Sequence, residues 1–328
     1  MSTPEKTLFI LGGSGYIGTQ IIRLAPDPPY NFTQIRALSR TPATDTHLTN
    51  LGATPVRGDL TSHALLEHES RQASAVINLA TAYIFGQSAS YDVQGLGTDT
   101  AALDAIARGL QNTGKPLAMV SGTLIYAPHP SGEETEETSP FDPHPINTRS
   151  KTDAYARALG AREGFRAVTI RLAPFVYGRA GSGVGRFMRL AAQNQRVAVV
   201  AGGGKRTTTV HVDDAAQLFL LAVEKGAAGE AFNASAETGV TFRELFGAIA
   251  EVVGVGIVDL TEEQAMEGMG EMVMRFLSTE NRASGKKARE VLGWVPTAPG
   301  VLEEIREGSY RVLAEELREK EKSAPLKN

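Results

Sequence analysis

Thr7-Leu8-Phe9-Ile10-Leu11-Gly12-Gly13-Ser14-Gly15-Tyr16-Ile17-Gly18 is the stretch on which the fold turns. A short apolar run of the kind that makes a buried strand stops on glycine, and helix-compatible sequence follows over 15–24. The glycines satisfy both G-x-G-x-x-G and G-x-x-G-x-x-G. Such a turn lets the backbone approach a pyrophosphate closely, and the helix behind it offers unpaired N–H groups and the positive end of its dipole. Gly12, Gly15, Tyr16, Ile17 and Gly18 are therefore candidate residues for a dinucleotide, with Ser14 meeting phosphate through its N–H and Tyr16 packing the helix.

Working outward, the apolar runs 33–39, 54–58, 75–80, 117–121 and 167–172 read as five further strands. Helix-compatible spacing separates them over 61–69, 92–111 and 148–163, the second with Leu96, Ala102, Leu103 and Ile106 on one stripe. Alternation of this kind gives right-handed crossovers, and the expected class is α/β: a doubly wound parallel sheet of Rossmann type. The Rossmann domain is expected over 1–178, a smaller C-terminal substrate lobe over 179–320, and a flexible charged tail over 321–328. The proline- and acid-rich segment 128–145 reads as a surface loop over the site.

A site selective for NAD usually carries an acidic residue about 20 residues after the glycines, bonded to the ribose 2′-hydroxyl. Here the second strand ends Ala37-Leu38-Ser39-Arg40, with no carboxylate. A guanidinium there can pair with a 2′-phosphate, so NADP(H) is the preferred cofactor, held by Arg40 with Ser39, and NAD(H) stays open.

The rest of the composition narrows the partners. The chain has 328 residues, 33 Lys plus Arg against 37 Asp plus Glu, and a net charge of -4, so no basic surplus exists to neutralise nucleic acid. No apolar run nears the roughly 18–20 residues of a membrane span, and the start lacks the basic and long apolar regions of a signal peptide. There is no cysteine, which removes disulfides, thiolate metal sites and a cysteine nucleophile, and fits a cytoplasmic address. His47, His63, His68, His129, His144 and His211 show no paired ligand spacing, so no metal is expected. His211 reads as a packed strand-end residue and Asp213 as the N-cap of the helix that follows.

Further motifs run in a fixed order: GDLTS (58–62), INLAT (77–81), GLGTDTAAL (95–103), SGTLIYAP (121–128), the Ser150-Lys151 pair, RLAPFVYG (171–178), VHVDDAA (210–216), FNAS (232–235) and LGWVP (292–296). With LGGSGYIG they make the sequence resemble the extended short-chain dehydrogenase/reductase family, also described as NAD-dependent epimerase/dehydratase-like proteins, to about residue 300. The resemblance implies that Asp59 and Leu60 contact the adenine, that Ala80 lines the cofactor groove, and that Pro174 to Val176 lie beside the nicotinamide. It implies a small-molecule substrate in the C-terminal lobe, and dimerisation through the 92–111 and 148–163 helices is common in similar proteins.

Members of that family resemble one another in a Tyr-x-x-x-Lys helix and a Ser or Thr at the preceding strand end. The phenol passes a proton to or from the substrate oxygen, the lysine one turn on lowers the phenol pKa from about 10, and the hydroxyl positions the carbonyl. Lys151 matches the lysine, which also bonds the nicotinamide ribose, but Asn147 stands at the tyrosine position. The Ser/Thr position falls on Gly122, between Ser121 and Thr123. Losing a placed acid or base typically costs about 10²–10⁴ in rate.

Three readings stay open. An NADP(H)-dependent oxidoreductase acting on a small carbonyl or alcohol would need Tyr83, Tyr126, or a water held by Asn147 and Lys151 to move the proton. The same fold could serve a non-redox isomerase, lyase or cyclase, or an NADP(H)-binding regulatory protein without turnover. The candidate catalytic set is Lys151, Asn147, Thr123, Ser121 and Tyr83. Tyr155 reads as core packing, about 12 Å of helix from Asn147. Arg186, Arg189 and Arg206 are either anion-binding or ordinary surface charge.

Overall fold

The computed structural model describes residues 5–84 and 91–323. The first half alternates strand and helix: β1 (Thr7–Leu11), α1 (Tyr16–Leu24), β2 (Gln34–Ser39), α2 (Pro42–Asn50), β3 (Thr54–Arg57), α3 (His63–Gln72), β4 (Ala75–Asn78), α4 (Leu96–Leu110), β5 (Pro116–Gly122), α5 (Arg149–Glu163) and β6 (Arg166–Leu172). All six expected strands form, and the four expected helices form as α1, α3, α4 and α5. One helix, α2, was not expected.

The second half continues with β7 (Phe175–Tyr177), α6 (Ser182–Asn194), β8 (Arg196–Val200), β9 (Arg206–His211), α7 (Val212–Lys225), β10 (Ala231–Ala234), β11 (Glu237–Thr241), α8 (Phe242–Val253) and β12 (Gly256–Leu260). It ends with α9 (Glu262–Met269), α10 (Glu271–Ser278), α11 (Lys286–Leu292), α12 (Val301–Arg306) and α13 (Ser309–Ser323). Most of the tail expected over 321–328 lies outside the described residues, since α13 runs to Ser323.

The main sheet has seven strands in the order β10-β6-β5-β4-β1-β2-β3, every pairing parallel. A parallel sheet must be covered on both faces, and the two-residue period of a strand shows how. Leu8 and Ile10 of β1 face one apolar cluster with α1 and α7, while Phe9 and Leu11 face another with α3, α4 and α5. In β5, Ala118 faces the first cluster and Leu117 and Met119 the second. Helix α5 presents Thr152, Asp153, Ala156, Leu159 and Gly160, the three-to-four spacing of one buried face.

A linear boundary at residue 178 does not divide the structure. β10 returns to pair with β6, and α7 packs on α1, so residues beyond 206 complete the main layer. The remaining elements enclose a second core around Phe175, Met188, Phe242, Phe246 and Ile249. A parallel two-stranded sheet (β8, β12) and a three-stranded sheet (β11-β9-β7) flank it. No helix among the described residues is long and apolar enough to cross a membrane.

Order reverses between β1 and β4, and in open α/β sheets that switch point opens a crevice for ligands at the carboxyl ends of the strands.

Candidate functional site

The glycine turn occupies that crevice. Gly12 has φ +83°, and a Cβ there would lie 3.1 Å from the Ala80 N beyond β4. At Gly18 a Cβ would come within 2.2 Å of the Gly12 carbonyl oxygen, so only glycine lets α1 start so close beneath the turn. Gly15 caps α1 without a side-chain bond, and the first turn carries no acidic residue. The leading N–H groups of α1 are thus left for an anion, and the residues present fit a dinucleotide's diphosphate.

Tyr16 has a more particular role than packing. Its hydroxyl donates to the Gly178 carbonyl at 2.5 Å, and burial pushes the phenol pKa upward, so it acts as a neutral clamp. Gly178, with φ +108°, donates its N–H to the Tyr310 hydroxyl at 2.9 Å, and Tyr310 donates to Gly181 O at 2.8 Å. The loop from 178 to 182, with Arg179, Ala180 and Ser182 also at positive φ, is thereby gripped by α1 on one side and α13 on the other. Arg179 pairs with Asp213 at 2.8 Å. The helix cap expected at Asp213 belongs instead to His211, whose Nδ1 accepts the Asp213 N–H at 3.2 Å. An imidazole at a strand end can cap because β9 delivers it in extended backbone, and the Asp213 carboxylate is drawn to Arg179.

At the far end of the crevice Gly58 N donates to Ser39 O at 2.9 Å, bringing the turns after β2 and β3 together. Ser39 is buried and its Oγ donates to Thr41 O at 3.3 Å. Arg40 is exposed and makes no hydrogen bond or ion pair with the described residues. The Thr61 hydroxyl and N–H, at 2.6 and 2.8 Å, hold the Asp59 carboxyl below the usual carboxylate range. Leu60 is half-buried beside it. Ala80 N donates to Asn78 Oδ1 at 3.1 Å, and Asp99 of α4 holds the next residues through Thr81 Oγ1 at 2.6 Å and Ala82 N at 2.7 Å.

Beyond the ends of β5 and β6 lies a cavity of about 240 Å³. Ser121, Thr123, Asn147, Tyr83, Pro174 and Val176 from the sequence reading all line it. Their availability differs. Thr123 is fully buried, and its hydroxyl donates to Asn281 Oδ1 at 3.0 Å. Ser121 is also buried, but its hydroxyl has no hydrogen-bond partner among the described residues. Asn147 Oδ1 accepts the Arg149 N–H at 3.1 Å, fixing the entry to α5. The Tyr83 hydroxyl reaches Met272 Sδ at 3.7 Å.

Lys151 is exposed on α5 and is not among the residues that line the cavity. Tyr126 also lies outside the lining: its hydroxyl donates to Asn233 Oδ1 at 2.9 Å and accepts from the buried Arg171, and burial raises the phenol pKa. Tyr155 is half-buried and donates to Asp104 at 2.5 Å. Arg186 and Arg189 are exposed on α6, and Arg206 pairs with Glu280 at 2.7 Å. Among the described residues no group of three or more His, Asp or Glu is placed to hold a metal.

The lining residues that the sequence reading did not single out include Phe276 of α10 and Arg149 of α5. Phe276 comes from far along the chain and carries no local signal. Arg149 does: it is the first residue of a helix, where a positive charge opposes the dipole and so calls for a reason.

Residues 8–235 match the model of the NAD dependent epimerase/dehydratase family. The chain belongs to that family. Over 305 residues it is 28% identical to the uncharacterised protein C2A9.02 of Schizosaccharomyces pombe, covering 92% of this chain and 99% of that protein. It is 25% identical over 287 residues to a 4-hydroxy-2-methyl-3-oxo-4-farnesyl-3,4-dihydroquinoline-1-oxide ketoreductase of Stigmatella aurantiaca, covering 84% and 83%. The structure of DesIV, a dTDP-glucose 4,6-dehydratase from Streptomyces venezuelae with NAD bound, aligns with a TM-score of 0.76 at 19% identity, covering 94% of this chain and 97% of that one. At that identity the likeness concerns the fold. Members of the epimerase/dehydratase family are typically oxidoreductases or related enzymes, and the crevice described above is where this fold takes its nicotinamide cofactor.

Proposed function

We propose that the protein is an NADP(H)-dependent oxidoreductase acting on a small organic carbonyl or alcohol, with proton delivery that does not use a tyrosine at the family's usual helix position. The observation that carries this reading is the cavity at the carboxyl ends of β5 and β6. Pro174 and Val176, the residues expected beside the nicotinamide, share that cavity with Ser121, Tyr83 and Asn147. The ketoreductase relative supports the same class of chemistry.

When bound, the cofactor supplies hydride transfer at its nicotinamide ring. The chain's own part is to hold it, to seat the carbonyl and to move a proton. The glycine turn and the α1 amides take the diphosphate, and Pro174 and Val176 wall the reacting end. Ser121 has a buried hydroxyl able to donate to a carbonyl oxygen. Tyr83, or a water on the Asn147 amide, carries the proton, because an amide has no proton of useful acidity. NADPH mixed with a panel of ketones and aldehydes should lose absorbance at 340 nm with at least one of them. Tight NADPH binding without oxidation by any carbonyl would overturn the redox assignment.

A non-redox isomerase, lyase or cyclase is the second reading, favoured by an exposed Lys151 that is not in the cavity's lining and by Asn147 standing where the resemblance expects the tyrosine. A binder without turnover is the third. Product analysis of the panel at constant NADPH separates these two.

Cofactor preference rests on Arg40. A charge-assisted bond to the 2′-phosphate should make NADPH bind about 10–100-fold tighter than NADH, and Arg40→Ala should remove most of that ratio. Calorimetric titration reads both; equal affinities in the wild-type protein would reject the assignment.

A further inference from the structure

We propose that a second cavity, between α6, the β8–β12 sheet, α9 and α10, binds an aliphatic carboxylate of medium chain length. The site is separate from the substrate cavity, and its assignment does not depend on how that cavity is used.

Its walls are largely apolar. Helix α6 contributes Phe187, Leu190, Ala191 and Asn194, the three-to-four spacing of one face. Arg196 and Ala198 of β8 share a face of the two-stranded sheet with Val258 and Leu260 of β12, because the register pairs Ala198 with Val258 and Arg196 with Gly256. Met269 at the end of α9, with Val273 and Leu277 of α10, closes the other side. The space is about 490 Å³, within the roughly 300–1,000 Å³ usual for ligand sites. Leu190 and Val258 remain 38% and 36% exposed, so apolar side chains stand open to water in a concave site, which a methylene chain would cover.

Charge fixes the ligand's polar end. Arg196 is the one charged side chain in the lining, and it makes no hydrogen bond or ion pair with the described residues. Asn194, two residues before it, adds an amide to the lining. Leu260 lies at the opposite end of the sheet, about 13 Å along the strands, and Glu262 and Glu263 follow it in the first turn of α9. A carboxylate is therefore drawn to the Arg196 end, where the planar guanidinium matches its two oxygens, and is repelled from the other. The span between the two ends suits the extended chain of decanoate.

Helix α10 is common to both cavities. Val273 and Leu277 face the second, while Met272 and Phe276, one position back on the helix, face the first: the Tyr83 hydroxyl reaches Met272 Sδ at 3.7 Å, and Phe276 lines the substrate cavity. Arg275 of the same helix donates to the His144 carbonyl of the acidic loop. A ligand packed on one side of α10 thus braces a wall of the substrate cavity.

The test is calorimetric titration of the full chain with decanoate, with 1-decanol, which has the chain without the charge, and with butanoate, which has the charge and little chain. Decanoate should bind about fivefold tighter than decanol, the upper range for an exposed ion pair, and butanoate far more weakly than either. Arg196→Gln should bring decanoate down to the level of decanol. Ala198→Phe, which fills the cavity from the sheet, should weaken both by at least about tenfold. Should Ala198→Phe fail to fold by circular dichroism, Val258→Phe on the neighbouring strand is the filling variant. Amide hydrogen exchange over 262–278 should slow when decanoate is bound. Binding of no probe, equal binding of decanoate and decanol, butanoate as tight as decanoate, or affinity unchanged by the filling variant overturns the proposal. Slowed exchange confined to 121–126 and 146–149 puts the chain in the substrate cavity and also overturns it. So does a dimer that Leu190→Asp splits in a protein that binds no decanoate, which gives this face to a second copy.

Discussion

Arg171→Met should lower the free energy of unfolding by about 3–5 kcal/mol, the usual result of removing one partner from a buried ion pair. Arg171 of β6 is among the largest fully buried side chains, and both oxygens of the buried Asp153 on α5 accept from it, at 2.8 and 3.0 Å. The same guanidinium donates to the Glu137 carbonyl at 3.0 Å and to the Tyr126 hydroxyl, so it joins the sheet, a helix and the acidic loop at one point. Methionine fills the volume but leaves Asp153, among the described residues, with only Arg157, at 2.9 Å, to balance it. Pairing Arg171→Met with Asp153→Leu should recover much of the loss, because no fully buried charge is left unmatched: Arg157, which loses Asp153, is partly exposed. Urea denaturation of the two variants checks this. A single variant within about 0.5 kcal/mol of wild type, the range of an ordinary surface substitution, would show that the network does not hold the fold.

Gly18→Ala should weaken dinucleotide binding by about 10–100-fold. The added Cβ would meet the Gly12 carbonyl oxygen at 2.2 Å and the Gly13 Cα at 2.7 Å. Both are backbone atoms, so the turn itself must give way. Overpacking of this kind costs about 1–3 kcal/mol, and the displaced segment is the one whose amides face the diphosphate. Gly97→Ala is the matched control, since a Cβ there meets nothing within 4 Å and α4 gains helix propensity. Calorimetry with NADPH and NADH measures the loss, and thermal melting of the ligand-free variant separates it from unfolding. Undiminished affinity in Gly18→Ala would mean that the dinucleotide sits elsewhere.

Much of the fold is legible in the sequence because a parallel sheet writes itself as separate apolar runs, and the glycine turn fixes which end binds. What escapes has physical causes. Helix α2 is polar almost all round, burying only Leu48, so no apolar stripe marks it. Its local signals were present nonetheless: Thr41 caps the Thr44 N–H, and Pro42 takes the first position. The return of β10 to the main sheet is invisible locally, since four residues, Ala231 to Ala234, do not say which strand they will pair with.

The candidate site was readable where it depends on backbone, as in the turns at Gly12 and Asp59, and less so where it depends on side-chain direction. The motif puts Lys151 and Asn147 on one helix, yet α5 begins at Arg149, so Asn147 precedes it and lines the cavity together with Arg149, while Lys151 is not in the lining. Ser121 and Thr123 look equivalent in sequence. Asn281, more than 150 residues away, engages the Thr123 hydroxyl, and only Ser121 keeps an uncommitted one.

The grip of Tyr310 on Gly178 spans 132 residues, and Tyr16 closes on the same glycine from the opposite end of the chain. During synthesis the first turn therefore emerges from the ribosome long before its clasp exists. The loop at Gly178 can settle only after two tyrosines far apart in sequence, one on α1 and one on α13, have both reached it.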